Sequence, residues 1–236
     1  MLKKEFRDTL KILLECSSIL LAIPLAKILD KLFFHLGWSF RDVFDITFIV
    51  ILFVFSIFSG IYIFQSEKKD RGFEYLLSLP IKRSKIIFCK IFPRLSILLL
   101  LLAVTIIFSI FDTPLQACTT VITLHLSAVF LSLAVDSLII HFTGIFILFT
   151  LFQLFSNFIS HFINNLEVFQ VTSTAFFGEL LSSLILLIPL GISFILSFKN
   201  FDLKPLKFHT KPYLFITIPA IAIQILILVL HYNKYI

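Results

Sequence analysis

The sequence predicts an all-α membrane protein: a bundle of six to seven transmembrane helices preceded by an amphipathic interfacial helix. Three observations predict it. Of 236 residues, 59% are hydrophobic and 14% charged, with a mean hydropathy of +1.05. Soluble domains carry about 25% charged residues, and a globular core cannot hide this much apolar side chain, so the solvent must be lipid. Uncharged runs near the length of a bilayer crossing recur along the chain. Finally, the basic residues gather in a few segments between those runs.

Residues 1–13 read as the interfacial helix. Leu2, Phe6, Leu10 and Leu13, continued by Leu14, recur at helical spacing. Lys3, Lys4, Arg7, Asp8 and Lys11 cover the other side. A helix of that pattern lies in the membrane surface. Residues 14–236 read as one polytopic domain with spans at about 14–36, 45–65, 91–111, 115–139, 142–163, 180–198 and 213–232. The first span carries Lys27, Asp30 and Lys31, which pair at i, i+3 and i+4 near a boundary. The third needs Arg94 to snorkel. From Thr113 to Leu166 only Asp136 is charged. That stretch exceeds one helix, and a break is expected near His141 to Gly144. Asp136 then falls at the inner headgroups.

Orientation follows from the positive-inside rule. With the N-terminus in the cytoplasm, the segments before span one, between spans two and three, and after span six hold 16 of the 20 Lys and Arg residues. The reverse orientation would invert that ratio. The net charge of +6 is explained by this bias and needs no nucleic acid partner. The Lys-Lys-Glu-Phe-Arg start has no small-residue cleavage site after it, so a signal peptide is not expected. Cys16, Cys89 and Cys118 have no metal or redox spacing and read as inert thiols. The 31 phenylalanines read as lipid-facing filler.

Residues 66–90 are the one long charged island within the oil. Phe73, Tyr75, Leu76, Leu77, Leu79 and Ile81 are interleaved with its charges, more apolar surface than a solvated loop uses. Asp70 is placed to cap a short helix, Pro80 ends it at Leu79, and Ser84 is placed to cap the helix that runs on into span three. A short helix of about 71–79 therefore projects between two spans, bearing a knob of Leu76 and Leu77.

Glu67, Gly72, Glu74, Leu76, Leu77, Pro80, Lys82, Arg83 and Lys90 fall on a pattern that resembles the first cytoplasmic loop of the membrane-spanning (permease) subunits of type-2 ATP-binding-cassette transporters. Phe73 stands where that pattern has Thr. More loosely, the amphipathic start and Phe198, Phe201, Asp202 and Leu203 after span six also resemble the family, whereas a seventh span departs from it. The resemblance implies that the short helix is a coupling helix seated in a groove of a separate ATPase, docked through Glu67, Gly72, Phe73, Glu74, Leu76, Leu77, Pro80 and Arg83. It also implies two copies of that ATPase, ATP and magnesium on that partner rather than here, a second permease subunit (itself or a paralogue), and a bacterial cytoplasmic membrane. A re-entrant segment is implied at 164–179.

This chain has no Gly-x4-Gly-Lys-Ser/Thr, His-Glu-x-x-His or Gly-x-Ser-x-Gly, and its six histidines lack ligand spacing. No enzyme, cofactor or metal site is expected in it. Gln153, Ser156, Asn157, Ser160 and His161 form a polar stripe on one face of span five. It reads either as the lining of a substrate path or as a helix-packing seam. Gln224 reads as an interhelical bond. The function expected is thus export of a lipid-like, peptide or drug-like substrate, energised from outside the chain. The alternative is a self-contained channel or ion-coupled carrier, which wants intramembrane ion pairs or broken helices in matched halves.

Overall fold

The structure is a computed structural model that describes residues 2–18, 39–69, 80–108, 110–111, 113–135, 137–165, 174–199 and 213–232. Among them are seven α-helices and no strand: α1 (Leu2–Ser17), α2 (Phe40–Lys69), α3 (Arg83–Ile107), α4 (Pro114–Leu131), α5 (Leu138–Asn165), α6 (Thr174–Lys199) and α7 (Ile218–Tyr232). A single π-helical turn, Tyr213–Thr217, leads into α7. Helices α2 to α6 are each long and apolar enough to cross a membrane. The chain is therefore a multi-pass, all-helical membrane protein. In α7 the apolar stretch Phe215–Leu226 is shorter. Of the first expected span only the start, inside α1, is described.

The expected break at His141 to Gly144 is misplaced. Helix α4 ends at Leu131 and α5 begins at Leu138, so His141 lies inside α5. The reason is visible in the backbone. Ser132 N–H bonds to the Val129 carbonyl, not to Ala128, leaving the Ala128 carbonyl without its helical donor. His141 Nε2 fills that gap at 3.0 Å. The histidine thus holds the corner together. Asp136 falls outside the described residues.

Other boundaries also move. Helix α2 continues to Lys69, so residues 66–69 extend a span instead of belonging to the loop. Helix α3 starts at Arg83 after Lys82, which puts Ser84 in its first turn and not at its cap. Helix α6 starts at Thr174, so Ala175 to Glu179 are helical, while the rest of the expected re-entrant segment lies mostly outside the described residues.

Helix α2 packs mainly on α4, α4 on α6, and α6 on α5. Small residues let backbones approach, as lipid-embedded helices require. At Gly60 of α2 an added Cβ would lie 2.6 Å from Ala128 Cβ and 3.0 Å from the His125 carbonyl oxygen of α4. Polar groups lock the same contact. Ser56 Oγ donates to the Val121 carbonyl at 3.1 Å, and His125 Nδ1 lies 3.0 Å from the Ser56 carbonyl and 3.2 Å from Ser59 Oγ. The carbonyl acceptor fixes the proton on Nδ1.

The phenylalanines are not all lipid-facing filler. Phe55, Phe64, Phe152, Phe194 and Phe198 are among the most deeply buried side chains. Phe64 of α2 meets Phe194 and Phe198 of α6 with ring centroids 6.2 and 5.9 Å apart. Together with Ile86, Leu133 and Leu148 they build the core at the end where α2 stops and α3 starts, the loop end.

Candidate functional site

Helix α1 inverts the expectation for an amphipathic helix. Its buried side is Glu5, Thr9 and Cys16, while Leu2, Leu10 and Leu14 are exposed. Spacings of 4 and 7 put the buried three on one face. That face packs on α2 and α3. Phe6 stacks edge-on against Phe92, and Cys16 joins the cluster of Leu52, Phe55, Leu98 and Leu101 further along. Helix α1 therefore runs alongside α3 instead of across it, and its leucines face outward to lipid.

Glu5 is the anchor, 4% exposed. Its Oε1 accepts from Lys90 Nζ at 3.0 Å and its Oε2 from Arg94 Nη1 at 2.9 Å. Lys90 Nζ also donates to the Ile63 carbonyl of α2 at 3.1 Å and sits 5.5 Å from the centre of the Phe64 ring. Arg94 Nη1 donates back to the Lys90 carbonyl at 2.6 Å. Lys90 and Arg94 stand one turn apart on α3, where like charges repel. Glu5 makes the pair tolerable, and three helices are joined at one point. Burial would raise the Glu5 carboxyl above its ordinary range, but the charges and hydrogen bonds of Lys90 and Arg94 outweigh it and hold the carboxyl below 4.5.

This cluster corrects two expectations. Arg94 does not snorkel to water: it is 3% exposed and binds Glu5. Lys90 is likewise buried, not a solvated loop charge. The signal for the cluster was in the sequence, as two bases at i and i+4 opening an apolar helix. Their partner lies 85 residues away, beyond any local pattern.

The loop itself is rooted on this cluster. Gly72, Phe73, Glu74, Leu76 and Leu77, with the whole of 70–79, lie outside the described residues. Glu67 lies in the last turns of α2, and only its backbone is described. Pro80 and Ile81 are exposed at the entry to α3. With Lys82, Ser84, Lys85 and Phe88 they line an open hollow of about 700 Å³. Arg83 Nη1 donates to the Phe198 carbonyl at 3.1 Å, tying the start of α3 to the end of α6.

The polar stripe of α5 divides. Ser156 is buried, and Gly178 of α6 packs so closely that a Cβ there would collide with Ser160 Oγ and the Ser156 carbonyl. Gln153 is half-buried and Asn157 exposed. The His161 side chain is outside the description. Across from this seam Glu179 accepts from Thr119 Oγ1 at 2.9 Å and Thr120 Oγ1 at 3.4 Å. Gln224 is buried on α7, and Ser193 of α6 bonds Thr217 at 2.9 Å. Among the described residues no three His, Cys, Asp or Glu groups gather as metal ligands. No family model, curated protein or solved structure matches the chain.

Proposed function

We propose that this chain is the membrane-spanning subunit of an ATP-driven exporter, moved by a separate ATPase that docks on residues 70–82. The motif at Glu67, Gly72, Glu74, Leu76, Leu77 and Pro80 supports the reading. One structural observation carries it further: the segment is bracketed by α2 and α3, and both are fastened by buried charge to α1. A push on the loop has no slack to take up there. It must tilt α1, α2 and α3 together, and Arg83 passes the movement to α6. The hollow beside Pro80, Ile81 and Phe88 offers apolar surface next to Lys82 and Lys85, suited to a protein partner.

The reading is tested by replacing Leu76 and Leu77 with Asp in the full chain. The variant is expected to remain in the membrane and keep its thermal stability. It is expected to lose co-purification of a soluble P-loop ATPase expressed from a neighbouring reading frame. Retained co-purification, or no such ATPase bound to the unaltered protein, would sink the proposal.

A further inference from the structure

Two hollows lie side by side between α1 and α2. One, of about 250 Å³, is lined by Glu5, Asp8, Lys11, Ile12, Glu15, Tyr62 and Arg94. The other, of about 180 Å³, is lined by Ile12, Glu15, Cys16, Val54, Phe58 and Tyr62. They share Ile12, Glu15 and Tyr62, so they form one continuous groove. Its character changes along its length. The end nearer the start of α1 carries charges of both signs, and the other end is apolar apart from Glu15. That is the polarity profile of an amphiphile with one head and a chain.

The charges specify the head. Glu5 is already committed to Lys90 and Arg94. Left facing the groove are the carboxylates of Asp8 and Glu15 and the cations of Lys11 and Arg94. Lys11 and Glu15 approach only to 4.0 Å and are 78% and 67% exposed, a loose pair that a ligand can enter. Arg94 is nine-tenths buried and its Nε has no hydrogen-bond partner among the described residues. An anionic head would meet two carboxylates, and a cationic one Lys11 and Arg94. A head with a phosphate beside an ammonium satisfies both. Carboxylates accept hydrogen bonds, so a primary ammonium with three N–H donors fits better than a methylated one, which has none.

We propose that this groove holds a phospholipid with a zwitterionic primary-amine head, its phosphate toward Lys11 and Arg94, its ammonium toward Asp8 and Glu15, and one acyl chain along Val54 and Phe58. The bound lipid fills the gap between α1 and α2 and is a structural part of the α1 anchor. This inference needs only a membrane and stands whether or not an ATPase docks.

The full-length protein in detergent is mixed with equal amounts of phosphatidylethanolamine, phosphatidylcholine and phosphatidylglycerol bearing identical chains, and native mass spectrometry counts the adducts. The phosphatidylethanolamine adduct is expected to dominate. In the double variant Asp8→Asn, Glu15→Gln, which leaves the buried Glu5 cluster intact, its excess is expected to fall about tenfold, the loss of one charge-assisted contact. Lys11→Met, at an exposed position, is expected to weaken the same adduct through the phosphate and serves if the double variant does not fold. Equal adducts from all three lipids, a preference for phosphatidylglycerol, or an excess unchanged in the variants would overturn the assignment.

Discussion

Glu5 Oε1 lies 3.0 Å from Lys90 Nζ, with both side chains almost wholly out of contact with solvent. An ion pair so placed loses its hydration, and its two partners depend on each other. Arg94 completes the set on the second carboxylate oxygen.

Glu5→Gln is accordingly expected to destabilise the protein by about 3–5 kcal/mol, because two buried cations lose their counter-charge. Thermal unfolding of the purified protein reads this directly. Lys90→Met in the same chain is expected to recover part of the loss. Additive penalties from the two changes would show that the pair is not coupled.

The cluster also sets an acid limit. A carboxyl whose folded value lies below 4.5 contributes stability that is fully present above that pH. It is lost as pH falls through the folded value. Stability is expected to hold from neutral pH to about 5 and then to decline as Glu5 protonates. Glu5→Gln is expected to abolish that acid limb, measured as unfolding temperature against pH.

At the α2–α4 contact, Gly60→Ala is expected to cost about 1–3 kcal/mol by overpacking, since the new methyl meets Ala128 Cβ at 2.6 Å. Ala128→Gly in the same chain is expected to restore stability in part. A neutral Gly60→Ala would mean that the two helices separate freely.

His125→Leu removes the bond to the Ser56 carbonyl between the same helices. The expected loss is smaller, about 0.6–1.7 kcal/mol, in the range of interhelical bonds in membranes. Heating the variant beside Glu5→Gln checks the ranking, which reverses if the histidine, not the charge cluster, holds the bundle.

Orientation is checked with Lys4→Cys in a chain whose own cysteines are replaced by Ala. A membrane-impermeant maleimide is expected to label it in inside-out vesicles and not in intact cells. Labelling in intact cells would turn the N-terminus outward.

The apolar runs of α2, α3, α5 and α6 were legible because crossing a bilayer requires about 20 apolar residues in a row, a property of sequence alone. The break between α4 and α5 was misjudged by several residues. Composition does not change there, and the corner is fixed by His141 reaching back to the Ala128 carbonyl. The face of α1 was misjudged for a related reason. In lipid the apolar side of a helix turns outward, so amphipathicity alone does not reveal which side packs on protein. The serines of α5 were legible as a stripe, but only the neighbouring Gly178 shows that Ser156 and Ser160 meet α6.

By itself, the sequence determined that this chain lives in a membrane, where five of its helices begin and end to within a few residues, and where its charged island lies. Those follow from local hydropathy and turn chemistry, which depend on neighbours in the chain. The tertiary structure alone decided that Lys90 and Arg94 are buried, that Glu5 neutralises them, and that the helices flanking the island are fastened to α1. These depend on which distant residues meet when helices pack, and burial of charge is tolerated only where that meeting supplies a counter-charge.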